Sequence, residues 1–202
     1  MIENRPTSPD MGAIYDKQAE AFARFSRTSF TWKYLEAPAF DRHLAGYYNG
    51  HTQVLDAGCG SGRVAEHLIA CGVAPTNIIG VDIGKANIQI AQKMVSGPKF
   101  IEADMRTITL PSESVDLVIA HMMLEFLDPD GLREALQKFH QVLRKEGTLV
   151  YITTHPKSVL SEIGVDALKG WHTRRSPWGT EIQNYYRSKD ELVAETKKCW
   201  FP

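Results

Sequence analysis

From residue 51 onward the chain alternates two hydrophobic rhythms. Short, nearly unbroken apolar runs read as buried strands at 53–56, 78–82, 99–103, 115–120 and 148–153. Between them apolar residues recur every three or four places. Val64, Leu68 and Ile69 mark one helix; Ile88, Ala91 and Val95 mark a second over about 85–95, stopped by Ser96-Gly97-Pro98. A third opens at Asp128, a good N-cap, with Pro129 at the first helical position. Leu132, Leu136, Phe139 and Leu143 carry it to about Lys145, and Gly147 follows.

Strands alternating with amphipathic helices predict an α/β fold: a doubly wound, Rossmann-like, mostly parallel sheet with helices on both faces. Ligands of such sheets bind at the carboxyl ends of the strands, where strand order reverses. Asp56, Asp82, Asp104 and His121 end four separate strands and are expected on one rim. Ahead of this domain (51–202), residues 1–10 read as a disordered tail and 11–50 as an N-terminal helical cap beginning with a helix at about 11–25. Nine of the 19 aromatic side chains fall between Tyr15 and Tyr48, which suits a cap packed on the core and, in part, a lid over a ligand.

Composition narrows the function. The chain has 202 residues, 43% hydrophobic, with 23 Lys+Arg against 24 Asp+Glu. A net charge of −1 argues against nucleic-acid binding through bulk charge. Cys59, Cys71 and Cys199 form no CxxC pair and suggest neither a disulfide framework nor a zinc cage, so no metal is expected and a reducing compartment is. The start is polar and carries Pro6 and Pro9, unlike a secretory leader, and the longest apolar stretch, 115–127, is interrupted by Asp116, His121 and Glu125. The expectation is a cytoplasmic protein with no membrane partner.

The sharpest chemistry lies in Gly58-Cys59-Gly60-Ser61-Gly62, between the first strand and its helix. Glycines allow a tight turn and a close ligand approach, and the helix N-terminus favours an anionic group. Asp82 stands twenty positions beyond Gly62, at the end of the second strand, where a carboxylate can accept both hydroxyls of a ribose. The dinucleotide fingerprint fails because Arg63 replaces its third glycine. Asp56, just before the loop, suits a ligand with an amino group. S-adenosylmethionine meets these demands: the loop seats its amino-acid end, Asp82 its ribose and Asp104 its adenine amino group.

Residues 54–62, Val81-Asp82-Ile83, 100–105 and 115–121 together resemble the successive motifs of class I S-adenosylmethionine-dependent methyltransferases, the small-molecule type in particular. The resemblance implies that Gly58, Cys59 and Gly60 touch the methionine part through backbone, with Asp56 below its amino group. It implies that Asp82 binds the ribose with Ile83 beside it, that Asp104 and the backbone of Met105 bind adenine, and that His121 lines the methionine end. Tyr15 is similar to a tyrosine that closes over the cofactor. His121 and His155 are the candidates for a general base. His121-Met122-Met123-Leu124 stands where an Asn/Asp-Pro-Pro-Tyr motif would signal nucleic-acid or protein amino groups, which favours a small-molecule acceptor.

Residues 151–156 and 185–188 resemble the later part of the same group, whose sheet gains two further strands where this sequence reaches Pro202. The expected consequence is an open fifth-strand edge, to be covered by homodimerisation or by residues 156–184, or else a truncated domain. Competing readings are a non-catalytic methyltransferase-like subunit and a nicotinamide-dependent oxidoreductase, the latter disfavoured by Arg63. Glu125 and Asp128 read as helix-end charges, Cys59 as a small residue filling a tight loop, and Trp171, Trp178, Tyr185 and Tyr186 as packing residues.

Overall fold

The structure is a computed structural model that describes residues 11–154 and 169–200. His155 and the tail at 1–10 lie outside the described residues. Helices α1 (Met11–Asp16), α2 (Ala19–Thr28) and α3 (Ala37–Leu44) form the N-terminal segment, with a π-helical turn at Trp32–Glu36. Then come β1 (Val54–Ala57), α4 (Arg63–Ala70), β2 (Ile78–Asp82), α5 (Lys85–Met94), β3 (Lys99–Glu102) and β4 (Val115–His121). The chain continues through α6 (Pro129–Val142), β5 (Leu143–Ile152), β6 (Gly170–Arg175), β7 (Glu181–Tyr186) and α7 (Lys189–Trp200).

Strands β1–β5 make one parallel sheet in the order β3-β2-β1-β4-β5. Order reverses between β1 and β4, so the switch point falls beside the glycine loop. Alternation along the strands divides the core in two. Val54, Leu117 and Ile119 face α4 and α5 with Phe40, Leu68 and Ile88. Leu55, Ala57, Val118 and Ala120 face α6 with Leu132, Leu136 and Phe139. Both faces are covered, which is why these strands read as apolar runs. Asp128 caps α6 as its sequence suggests, its Oδ1 accepting from Gly131 N at 2.8 Å.

Several boundaries differ from the sequence reading. The single helix expected at about 11–25 is two, α1 and α2, broken at Lys17-Gln18; Asp16 Oδ1 accepts from Ala86 N at 2.8 Å and so caps the start of α5. Helix α6 ends at Val142 rather than near Lys145, because Leu143, in phase with the helix, turns extended and pairs with Val115. β5 therefore starts five residues earlier than the 148–153 run, with a register irregularity between Val115 and Leu117.

The antiparallel hairpin β6–β7 is a finding the apolar pattern did not reveal. Its turn contains Pro177 and Gly179, the latter at φ +95°. The hairpin packs against the short turn Leu124–Phe126 rather than along β5. β5 is the edge of the sheet, bordered by Thr196, Lys197 and Trp200 of α7 across a shallow hollow. Among the described residues no helix is long and apolar enough to cross a membrane.

Leu117 is fully buried at the centre of β4. Leu117→Ala is expected to cost about 2–5 kcal/mol through lost burial and a residual cavity. Urea unfolding checks this, the midpoint falling with an unchanged slope.

Candidate functional site

The glycine loop is held from below by β2. Gly58 N and Cys59 N both donate to Val81 O, at 2.8 and 3.0 Å, and Gly60 N donates to Asp82 Oδ2 at 2.8 Å. Gly58 has φ +71°, and a Cβ there would stand 2.6 Å from Met123 Cγ, so the cradle admits no side chain. The buried Cys59 thiol, whose pKa burial pushes up, fills the space beneath the loop.

Asp82 carries more contacts than its sequence position suggests. Its second oxygen, Oδ1, accepts from Gly84 N at 2.8 Å, and burial raises its pKa. Asp104 is clasped by Arg106, with Nη2 to Oδ2 at 2.6 Å and Nε within 3.0 Å of both oxygens, and its pKa is lowered against the opposing effect of burial. Asp56 is fully buried behind the loop, outside the cavity lining, and neither of its carboxylate oxygens has a hydrogen-bond partner. Burial, reinforced by Asp82, pushes its pKa up to about 7.

These elements open into one cavity of about 780 Å³, a size suited to a cofactor and a small second ligand. Tyr15, Gly58, Cys59, Gly60, Asp82, Ile83, Asp104, Met105 and His121 all line it. The cap closes one side. Tyr15 lies edge-on to Phe22 and Phe126, at 5.1 and 5.7 Å between ring centroids, and Trp178 from the hairpin turn meets Phe22 at 5.1 Å and Phe25 at 5.4 Å. Trp178 is therefore part of the cavity wall as well as a packing residue.

His121 is engaged at both ring nitrogens. Arg63 Nη2 lies 3.2 Å from Nδ1 and can only donate, so Nδ1 accepts and Nε2 donates to Glu36 Oε2 at 3.0 Å. Burial lowers the imidazole pKa, which keeps this neutral tautomer. Arg63 also donates to Ser26 O at 2.6 Å and stacks over Trp32 at 4.2 Å. The residue that breaks the dinucleotide pattern is thus the bolt between cap and loop. Arg27 adds a second fastening, to Ser61 Oγ at 2.9 Å and Ser61 O at 2.7 Å.

Glu125 is the residue the sequence reading undervalued. It lines the cavity, is 3% exposed, and accepts from Thr153 Oγ1 at 3.1 Å. Burial raises its pKa to about 7, outweighing its hydrogen bonds and the nearby Arg174 and Arg187. The one available signal was position: it follows β4 by four residues, at the end where sheet ligands bind. Just before it, Met122 has φ +52°, a strained conformation of the kind that concentrates at functional sites.

A family model described as "Methyltransferase domain" matches residues 54–147. The chain is 27% identical to a malonyl-[acyl-carrier protein] O-methyltransferase of Pectobacterium atrosepticum, over 93% of this chain and 75% of that one. It is 29% identical to a ubiquinone biosynthesis O-methyltransferase of Bradyrhizobium diazoefficiens, over 71% of this chain and 56% of the relative, so it spans little more than half of that protein. Among solved structures, a DhpI–SAM–HEP complex superposes with a TM-score of 0.71 at 17% identity, over 92% of this chain and 85% of that one.

The raised pKa of Glu125 has a sign that stability measurements read. Unfolding returns this carboxyl to its ordinary value of about 4.3. Between there and about 7 the folded state holds the extra proton, so the group makes stability fall as pH rises through that window. Below the window both states are protonated and the effect vanishes. Glu125→Gln keeps the Thr153 hydrogen bond and removes the titration. Its stability relative to the unsubstituted protein is expected to grow between pH 5 and pH 7, measured by denaturant unfolding across that range.

Proposed function

Because the chain belongs to the class I S-adenosylmethionine-dependent methyltransferases, we propose that it transfers the cofactor's methyl group to an oxygen atom of a small-molecule acceptor. One observation carries this reading: a single cavity is lined by Gly58, Gly60, Asp82 and Asp104 together with the buried carboxyl of Glu125. Both relatives are O-methyltransferases, which supports an oxygen acceptor.

The residues present fit the cofactor. Gly58 forms a cradle that a Cβ would fill, and Asp82 and Asp104 line the same cavity. When bound, S-adenosylmethionine supplies a methyl group on a sulfonium, with a neutral thioether to leave. Asp82 and Asp104 hold the ribose and adenine. Displacement at that carbon demands alignment and dryness more than proton chemistry, and positioning of this kind lowers barriers by up to about 7–11 kcal/mol. Tyr15, Phe22, Phe25 and Trp178 wall the cavity against water. For a hydroxyl acceptor, Glu125 takes the proton; a carboxyl with pKa near 7 is matched to that task. His121 holds a structural post in this scheme, since both its nitrogens secure the cap. Arg174, whose Nε donates to Asn184 Oδ1 at 2.8 Å, lines the cavity and complements an acidic group on the acceptor.

Calorimetry with S-adenosylhomocysteine tests the cofactor half. Asp82→Ala is expected to weaken binding at least tenfold, about 1.4 kcal/mol, with NADH giving no heat. An unchanged dissociation constant would overturn the ribose assignment.

For the acceptor half, release of S-adenosylhomocysteine is followed against a panel of small hydroxylated and carboxylic acids. With a hydroxyl acceptor, Glu125→Gln is expected to lower kcat about 10²–10⁴-fold while leaving cofactor affinity intact. The rate of the unsubstituted enzyme should rise with pH through about 7, as Glu125 loses its proton, and that limb should be missing in the variant.

A further inference from the structure

On the side of α4 turned toward the cap, three donor atoms of different chemistry converge. His67 and Cys71 stand four residues apart, one at the end of α4 and one at its C-cap, and so share a face. Asp41 reaches them from α3. His67 Nε2 is 2.9 Å from Asp41 Oδ1, Cys71 Sγ is 3.6 Å from the same oxygen, and Cys71 Sγ is 3.7 Å from His67 Nε2. We infer that Asp41, His67 and Cys71 form a three-ligand site for a thiophilic divalent cation of the zinc type, clipping cap helix α3 to α4 and leaving a fourth position for water.

The geometry favours an ion over the two simpler readings. Tetrahedral zinc, with bonds of about 2.0 Å to nitrogen or oxygen and 2.3 Å to sulfur, separates its ligand atoms by about 3.3–3.6 Å. Two of the three separations match, and the Asp41–His67 pair needs to open by a few tenths of an ångström. A Cys-His-Asp nucleophile relay would place acid and thiol on opposite ring nitrogens. Here both face Nε2, so they meet at a point instead of forming a chain. A plain His–Asp ion pair leaves the sulfur's approach to both partners without a purpose.

The surroundings are those of an orienting shell. Trp32 lies edge-on to the His67 ring at 5.5 Å and Phe40 packs beside it at 6.2 Å, which fixes the imidazole plane. The Tyr48 phenol stands against Cys71. Asp41 and Cys71 are exposed, so an ion has access. On binding, the Cys71 thiol loses its proton to solvent, and carboxylate plus thiolate balance the dication beside neutral His67. The sequence offered no cage because the acid comes from a separate helix. A single His-x₃-Cys turn is too little to mark a site.

The clip also bears on the cavity. Glu36, which holds His121, ends the turn leading into α3, five residues before Asp41. An ion at the site therefore anchors the cap segment that closes the pocket.

The test uses the full chain, reduced and stripped with chelator, titrated with Co²⁺ and Zn²⁺. The expected result is one ion per chain, a thiolate-to-cobalt charge-transfer band with tetrahedral ligand-field bands, and a higher Tm with Zn²⁺. Cys71→Ser and His67→Gln should each remove the charge-transfer band or shift it and weaken Zn²⁺ at least tenfold, in proteins whose circular dichroism matches the unsubstituted chain. Cys59→Ser and Cys199→Ser should leave binding unchanged. Absence of stoichiometric Zn²⁺ binding, or unaltered affinity in both Cys71→Ser and His67→Gln, would overturn the site. These readouts are independent of methyl transfer, so the cofactor reading stands or falls separately.

Discussion

The site depends on one constraint: the end of β2 holds the glycine loop by its backbone. Val81 O accepts from two successive N–H groups of the loop, and the Asp82 carboxylate accepts from a third at Gly60. Three successive alternate positions, Gly58, Gly60 and Gly62, take positive φ as a result. A loop of this shape costs backbone entropy and tolerates no Cβ at its tightest point. The hydrogen bonds to β2 offset that cost and fix the floor of the cavity before any ligand arrives. The carboxylate proposed for the ribose thus also builds the loop.

The second layer of organisation is electrostatic. Asp56, Asp82 and Glu125 are all acids whose charged forms burial disfavours, and the Asp82 charge raises the cost further at Asp56. Against them α4 brings Arg63, which opposes the shift at Asp56, and the hairpin brings Arg174, which opposes it at Glu125. Arg63 suffers for its place: desolvation lowers its pKa to about 10 despite Glu36 and Asp56. Cap and loop are fastened by charged groups rather than by apolar burial alone, which orients the aromatic side chains above the cavity more strictly than hydrophobic contact does. A buried, hydrogen-bonded arginine has few alternative arrangements of comparable energy.

Much of the parallel sheet was legible in the sequence because its strands are buried on both faces. β2 spans the residues the apolar run marked, and β1 differs by one at each end. Gly58, Asp82, Asp104 and His121 were legible for a related reason: each sits at a strand end, a place that periodicity locates well. The hairpin was not, because Gly-Trp-His-Thr-Arg-Arg alternates weakly and only one of its faces is buried. Glu125 read as a helix-end charge because an acid before a helix is common, and its burial on the cavity wall beside Thr153, Arg187 and the hairpin is set by segments distant in sequence. His121 was rightly placed on the rim, but its partners Glu36 and Arg63 come from distant segments that no spacing rule connects.

The division of labour follows from what each part of the chain is free to vary. The floor of the cavity is made of backbone and strand-end acids and has little latitude, since moving any of them reshapes the sheet. The roof is made of side chains on α1, α2 and the hairpin turn, where Tyr15, Phe22, Phe25 and Trp178 meet ring to ring. Exchanging one such ring alters the acceptor end without touching the hydrogen bonds beneath. In the proposed reaction, specificity for the acceptor would therefore reside in the roof.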